Sequence, residues 1–215
     1  MIKGAIFDVD GTLLDSMGMW RTFVSELIRK YGGNPEDGVD EKVRYYSLRQ
    51  TATFLAENYI GCTPDEGEKI CLSETMDFYA NRAGLKPGAA EFLHTLGNAG
   101  VKMYIATATY RPLIQAALER EGVWNLFSGM ITCSEAGAGK TKPDIFLKAL
   151  EKLGTSVPET WVFEDAYHAV KTAKSIGFKV HCVYDETEAD HASLLRQMSD
   201  IYSRDFTDAR IENYL

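Results

Sequence analysis

The sequence is poor in cysteine, and its cysteines lack the spacing of a metal site or a disulfide framework. Its 215 residues include only four, Cys62, Cys71, Cys133 and Cys182. Isolated cysteines in a chain of this length are typical of reduced thiols in a reducing compartment. We therefore expect a cytoplasmic protein without structural disulfides.

Long hydrophobic runs and an excess of basic residues are also missing. No apolar run approaches the ~18 residues that a membrane helix needs, and Asp8 interrupts the first apolar stretch before a secretory signal forms. Lys and Arg number 23 against 31 Asp and Glu, so the formal net charge is −8. Because an acidic chain is a poor electrostatic partner for nucleic acid or anionic lipid, we expect neither as a partner. The oligomeric state stays open between monomer and dimer.

What the sequence contains is an ordinary globular composition, with 45% hydrophobic and 25% charged residues. Short apolar runs rich in β-branched and aromatic residues predict five buried strands, at 2–7, 101–106, 129–132, 160–163 and 179–183. One-sided helical stripes follow Pro112, Asp144 and Asp165. This alternation predicts an α/β fold, a Rossmann-like parallel sheet with helices on both faces. We expect the polar tail from Glu186 onward to be structural, with an edge strand near Ile201.

A helical stretch interrupts this alternation directly after the first strand. A stripe runs from Met17 to Tyr31, a second pattern runs from Val43 to Tyr59, and Thr63-Pro64-Asp65-Glu66 is a capping box with proline at the first helical position. We expect residues 1–15 and 84–215 to form the α/β core domain. Residues 16–83 are then a small all-helical domain inserted into it.

Two pairs of acidic residues follow predicted strands. Asp8 and Asp10 come after the first strand, and Glu164 and Asp165 come after the fourth. Ligands in parallel sheets bind beyond the carboxyl ends of the strands, so these four carboxylates are expected to meet. Paired carboxylates repel unless a cation or a shared proton compensates, and hard oxygen ligands suit Mg²⁺.

Phosphate-binding groups follow the second and third strands. Thr107 and Ala108 place a hydroxyl and backbone N–H donors at a strand end, and Lys140 lies in a glycine-bearing loop before a helix. A lysine at this edge can neutralise a phosphate and a carboxylate together. The same crevice is therefore predicted to hold a phosphoryl group as well as a cation.

With these four segments in this order, the sequence resembles the haloacid dehalogenase superfamily, in the branch with a helical cap after the first motif. The resemblance covers essentially the whole chain and is most specific for the Asp8–Thr12 segment and for Glu164-Asp165. It implies that Asp8 is the nucleophile and forms an aspartyl phosphate. It implies that Asp10 is the general acid and then the base that activates water.

The resemblance also implies the ligands of the cofactor and of the phosphoryl group. Mg²⁺ is held by Asp8, the Asp10 backbone carbonyl and Asp165, with Glu164 in or near its shell. The phosphoryl group is bound by Thr107, Ala108 and Lys140.

Within this family, we predict a Mg²⁺-dependent phosphatase that hydrolyses a small phosphorylated metabolite. Dehalogenase members lack an acid at the position of Asp10, which disfavours carbon–halogen chemistry. Phosphonate-cleaving members use a cap lysine, and the corresponding region 47–53 has none. Phosphomutases of the beta-phosphoglucomutase type remain the alternative, although they carry a histidine early in the cap, where this chain has Trp20.

Two other function classes stay open. The Gly137–Thr141 segment echoes the phosphate-binding loop of nucleotide triphosphatases, but Ser134 stands where that motif requires its first glycine. A non-catalytic phosphometabolite-binding protein has no need of Asp10. Magnesium-dependent release of phosphate separates such a protein from an enzyme.

Substrate choice is expected to lie in the cap. Trp20, Tyr45, Tyr46 and Arg49 are the candidates to contact the leaving group. Packing within the cap and a solvated helix charge are the alternative roles for the aromatic residues and for Arg49. His168 is expected to be a solvated or packed histidine, without a catalytic role.

Overall fold

The computed structural model describes residues 2–43, 46 and 48–214. The chain divides into two compact units, one formed by Met1–Asp15 with Ala83–Leu215 and the other by Ser16–Arg82. We call them the α/β unit and the helical unit. Among the described residues, no helix combines the length and the hydrophobicity that a membrane crossing requires.

The α/β unit is built on a six-stranded sheet in the order β3-β2-β1-β4-β5-β6, in which every neighbouring pair is parallel. The strands are β1 Gly4–Phe7, β2 Lys102–Thr107, β3 Phe127–Thr132, β4 Thr160–Glu164, β5 Lys179–Val183 and β6 Ile201–Ser203. The predicted parallel sheet is confirmed, and β6 is the expected edge strand. β3 begins two residues before the predicted run.

Helices connect these strands, as the alternation predicts. They are α6 Ala89–Asn98, α7 Arg111–Arg120, α8 Cys133–Ala136, α9 Asp144–Leu153, α10 Tyr167–Ile176 and α11 Ala192–Met198, numbered after the five of the helical unit. Neither α6 nor α11 was predicted from the sequence. The short helix α8 was not predicted either, although Thr132 and Glu135 form a capping box at its start.

Strand side chains alternate between two apolar layers. On one face, Ile6, Val162 and Val180 pack with buried residues of α9 and α10. On the other face, the ring of Phe7 stacks on that of Phe163 at 4.2 Å. Three further aromatic residues surround Phe163: Phe92 from α6, and Phe206 and Tyr214 from the C-terminal segment. The polar tail is therefore a structural part of this core.

The helical unit contains α1 Met17–Trp20, α2 Phe23–Lys30, α3 Val39–Val43, α4 Leu48–Leu55 and α5 Pro64–Asn81. The predicted stripe from Met17 to Tyr31 is two helices, because Arg21 and Thr22 form a turn within it. Of the predicted pattern from Val43 to Tyr59, Val43 ends α3, Leu48–Leu55 forms α4, and a π-helix, Ala56–Ile60, continues α4. The capping box that opens α5 is confirmed, since Thr63 Oγ1 accepts from the Glu66 N–H at 3.3 Å.

Candidate active site

The site begins where β1 and β4 lie side by side in the middle of the sheet. The chain proceeds from β1 to one side through β2 and β3, and then to the other side through β4, β5 and β6. Phe7 pairs with Phe163, and the Asp8 N–H donates to the Phe163 carbonyl at 2.9 Å. This register places Asp8 beside Glu164, at the point of strand reversal where such sheets bind ligands.

The chain turns sharply after Asp8. The Val9 carbonyl accepts from the N–H groups of Leu13 at 2.9 Å and Leu14 at 2.8 Å. Gly11 has a φ of 83°, a left-handed conformation that disfavours any side chain. Asp10 lies on this turn and is half-buried. The turn therefore presents a second carboxylate two residues after Asp8.

Lys140 joins the two acidic strand ends. Its ammonium donates to Asp8 Oδ1, and it donates to Glu164 Oε1 at 2.5 Å. The lysine side chain is only 6% exposed, and both carboxylates are buried. Lys140 lies in the loop between α8 and α9, and its side chain reaches the carboxyl ends of β1 and β4.

Both carboxylate oxygens of Glu164 accept hydrogen bonds. Oε1 accepts from Lys140, while Oε2 accepts from the N–H groups of Asp165 at 3.1 Å and Ala166 at 3.3 Å. These contacts fix the carboxylate in one orientation. Glu164 therefore orients Lys140 and lies beside the other carboxylates of the site.

Asp165 is held by a residue for which the sequence suggested no role. Thr12 Oγ1 donates to Asp165 Oδ1 at 2.9 Å, and both side chains are buried. Asp165 does not cap the following helix, because the N-cap of α10 is Ala166. The other Asp165 oxygen is thus not committed to helix capping.

Three carboxylates of the site form a group that can hold a metal ion. Asp8, Glu164 and Asp165 are buried, and each offers an oxygen within 4.8 Å of the others. Three ionised carboxylates against the single Lys140 ammonium leave an excess of negative charge that a divalent cation would balance. Because all the donors are carboxylate oxygens, the group suits a hard cation.

The pKa values of the buried side chains reflect the same excess of negative charge. Burial raises the pKa of Asp8 to about 6, with Lys140 opposing this rise and Glu164 adding to it. Burial, followed by the charges of Asp8 and Glu164, also raises the pKa of Asp165. Burial would lower the pKa of Lys140, but its two carboxylate partners raise it above its ordinary value. Lys140 is therefore a permanent cation.

Thr107 and Ala108 lie at the end of β2, next to β1 in the sheet. Thr107 is buried, and its Oγ1 accepts from the Thr109 N–H at 3.1 Å. Since the oxygen is the acceptor in this contact, the hydroxyl hydrogen can be donated elsewhere. Ala108 is exposed at the strand end.

The predicted specificity residues lie in the helical unit. The Trp20 indole N–H donates to Tyr79 Oη at 3.0 Å, and its ring lies 5.4 Å from that of Phe23. Arg49 is exposed and forms ion pairs with Asp65 and Glu68. These contacts agree with the packing role for Trp20 and the solvated charge for Arg49, and leave their contact with a substrate a prediction.

The remaining candidates are placed as follows. Tyr46 is exposed, with its ring 6.3 Å from that of Phe54, and Tyr45 lies outside the described residues. His168 is exposed in the first turn of α10. Its pKa is lowered by partial burial and then by the charge of Lys140.

Comparison with known proteins agrees with this geometry. Residues 2–177 match the family model of haloacid dehalogenase-like hydrolases. The chain belongs to this family. The resemblance inferred from the sequence is therefore confirmed.

Relatives of the hydrolase include named phosphatases. It is 28% identical over 214 residues to validoxylamine A 7'-phosphate phosphatase of Streptomyces hygroscopicus subsp. limoneus, covering 98% of this chain and 97% of that one. It is 30% identical over 184 residues to hexitol phosphatase A of Escherichia coli, covering 84% and 82% of the two chains. The fold is also that of beta-phosphoglucomutase from Clostridium difficile, with a TM-score of 0.72, 17% identity and coverage of 100% and 97%.

Proposed function

We propose that the hydrolase is a Mg²⁺-dependent phosphatase that cleaves a small phosphate monoester through an aspartyl-phosphate intermediate. The observation that carries the proposal is the buried Lys140 ammonium between Asp8 and Glu164, with Asp165 in the same group of carboxylates. The phosphatase names of its relatives support the reaction class.

The cation would be held by Asp8, Asp165 and the backbone carbonyl of Asp10, with Glu164 beside them. When bound, Mg²⁺ reduces the repulsion between the phosphate dianion and the attacking carboxylate. Thr12 and Lys140 orient the carboxylates for this role. Lys140 also offers positive charge to the phosphoryl oxygens, alongside the Thr107 hydroxyl and the Ala108 N–H.

In the first half of the reaction, a carboxylate oxygen of Asp8 attacks the phosphorus atom. The bond between phosphorus and the ester oxygen breaks, and Asp10 donates a proton to that departing oxygen. Such proton transfer contributes about 10²–10⁴-fold in rate. The products of this half are the free alcohol and a phosphorylated Asp8.

In the second half, Asp10 has become a base. It takes a proton from a water molecule whose oxygen attacks the phosphorus atom. The bond between phosphorus and Asp8 breaks, and inorganic phosphate leaves with the nucleophile restored. The alternation of Asp10 between acid and base returns the site to its starting protonation state.

We further propose that the helical unit acts as the cap that selects the substrate. Trp20 and Arg49 are its candidates to contact the leaving group, and a small phosphorylated metabolite is the proposed partner. The named substrates of the two phosphatase relatives support a polyhydroxylated leaving group.

The test is a phosphate-release screen over a panel of phosphate monoesters, with Mg²⁺ or with a chelator. Asp8→Asn has nearly the same shape but lacks the nucleophile, so it is expected to lose at least about 10³-fold in turnover. Asp208→Asn, at an exposed carboxylate, is the matched control and is expected to keep full activity.

Two results would overturn the proposal. Wild-type turnover by Asp8→Asn would exclude the assigned nucleophile. Failure to release phosphate from any monoester would exclude a phosphatase, and conversion between hexose phosphates by the same preparation would then establish a phosphomutase.

A further inference from the structure

A second buried lysine lies in the α/β unit. Lys86 is 7% exposed, and its Nζ donates to the Tyr184 carbonyl at 2.7 Å and to Asp185 Oδ2 at 3.2 Å. Asp185 is also 7% exposed. A buried ion pair gains little stability over apolar residues of the same size, so its presence calls for another explanation.

Lys86 belongs to the segment by which the chain returns from the helical unit. Its backbone N–H donates to the Leu13 carbonyl at 2.7 Å, and the Asp15 N–H donates to the Gly84 carbonyl at 2.9 Å. The two connecting segments are thus paired with each other inside the α/β unit. Lys86 is therefore anchored at its backbone to the loop that follows Asp8 and Asp10.

Asp185 lies at the same edge of the sheet as the candidate active site. Cys182 pairs with Glu164 in the register of β4 and β5, so Asp185 follows the carboxyl end of β5 and Asp165 follows the end of the neighbouring β4. The Oδ1 of Asp185 accepts from the Thr187 N–H at 3.0 Å and from Thr187 Oγ1 at 2.7 Å, leaving Oδ2 for Lys86.

We propose that Lys86 and Asp185 are positioning residues of the cation site, which balance each other's charge at this edge of the sheet, so that the loss of either one alone changes the affinity for Mg²⁺. Asp185 is a fourth carboxylate at this edge of the sheet, and Lys86 balances its negative charge. Lys86 is a second buried ammonium, and Asp185 balances its positive charge. The proposal rests on the proposed cation site. It adds two residues that belong to none of the motifs recognised in the sequence.

The proposal predicts opposite effects of the two single substitutions on Mg²⁺ binding, measured by calorimetry. Asp185→Asn leaves the Lys86 charge uncompensated, so it is expected to weaken Mg²⁺ binding about fivefold. Lys86→Met leaves the Asp185 charge uncompensated and is expected to tighten binding by a similar factor. Lys86→Arg and the double variant with Lys86→Met and Asp185→Asn are expected to bind within about twofold of the wild type.

An ion pair at the other end of β5 is the matched control. Lys174 Nζ lies 2.6 Å from Asp200 Oδ2, which also accepts from the Val180 N–H near the start of that strand. Asp200→Asn and Lys174→Met make the same charge changes at a partly exposed site. They are expected to leave Mg²⁺ affinity within about twofold of the wild type, because solvent screens their charges.

The outcomes separate this inference from the proposed function. Shifts in the same direction for both single variants, or no shift for Asp185→Asn, would overturn the positioning role while a Mg²⁺-dependent wild type leaves the phosphatase proposal intact. If Lys86→Met does not fold, the Mg²⁺ affinity of Asp185→Asn compared with that of Asp200→Asn still tests the positioning role. A wild type that binds no Mg²⁺ would overturn both proposals.

Discussion

At the scale of single residues, the site depends on contacts between side chains far apart in the sequence. Thr12 and Asp165 are 153 positions apart and share a buried hydrogen bond of 2.9 Å. Thr12 lies within the recognised Asp8–Thr12 segment, yet nothing in the sequence indicates which side chain its hydroxyl contacts. Only the folded sheet identifies the partner.

Thr12→Val removes this donor with little change in volume. Because the freed Asp165 carboxylate is less well oriented, we expect the Mg²⁺ concentration for half-maximal activity to rise about fivefold, the equivalent of about 1 kcal/mol. Activity at saturating Mg²⁺ should change little. Thr75→Val is the control, since Thr75 is also fully buried but donates to the Cys71 carbonyl within α5. Equal behaviour of the two variants would argue against the orienting role of Thr12.

A second prediction at the scale of single residues concerns His181 and the pH dependence of stability. It is buried between Tyr214 Oη at 2.7 Å and Ser203 Oγ at 2.6 Å, and burial lowers its pKa to about 4. As the pH falls below the ordinary value of about 6.5, the unfolded chain binds a proton at this position and the folded chain does not. Stability therefore falls with decreasing pH until about pH 4, by about 3 kcal/mol from this group.

Urea unfolding across this pH range measures the effect. His181→Gln is expected to have a shallower loss of unfolding free energy with decreasing pH than the wild type, whatever its stability at neutral pH. His94→Gln, at an exposed histidine of α6, should follow the wild-type profile. If the unfolding free energies of all three proteins fall in parallel with decreasing pH, His181 is not the group that makes stability depend on pH.

At the scale of elements, glycine sets how closely two helices of the helical unit approach. A Cβ at Gly67, in α5, would lie 2.7 Å from the Ala52 carbonyl oxygen and 3.1 Å from Ala56 Cβ. Both atoms belong to the facing helical segment. They cannot move aside, whereas the end of a flexible side chain can. The contact between α4 and α5 therefore requires a residue without a side chain.

Gly67→Ala should destabilise the protein although alanine favours helix. Overpacking costs about 1–3 kcal/mol, which exceeds the gain of about 1 kcal/mol in helix propensity. Gly18→Ala, in α1, meets no atom within 4 Å and should be neutral or stabilising. Thermal unfolding of the two variants measures the contrast, and a stabilised Gly67→Ala would refute the close approach.

At the scale of the whole molecule, charge repulsion at the sheet edge links cation binding to stability. A ligand at about 100 times its dissociation constant stabilises the folded state by about 2.7 kcal/mol, which is a shift of about 5–10 °C for a chain of this size. We expect Mg²⁺ to raise the melting temperature of the α/β unit relative to a chelator at equal ionic strength. Asp165→Asn should lose most of this shift, and an undiminished shift would place the cation elsewhere.

The sequence by itself determined the strands of the parallel sheet, the helices that follow Pro112, Asp144 and Asp165, and the family to which the chain belongs. Apolar runs and helical stripes respond to local burial and periodicity, and the four polar segments follow strand ends, so both can be read in order along the chain. The stripe at 17–31 contains two helices, because periodicity does not detect a turn that keeps the apolar face in phase.

Only the tertiary structure decided how these pieces are coupled. The ion pairs of Lys140 and Lys86, the hydrogen bond from Thr12 to Asp165 and the burial of Tyr214 all join segments that the sheet brings together from distant positions. Local sequence contains no record of such pairings, because they depend on strand order and register. The energy of a buried charge likewise depends on which partners the fold supplies.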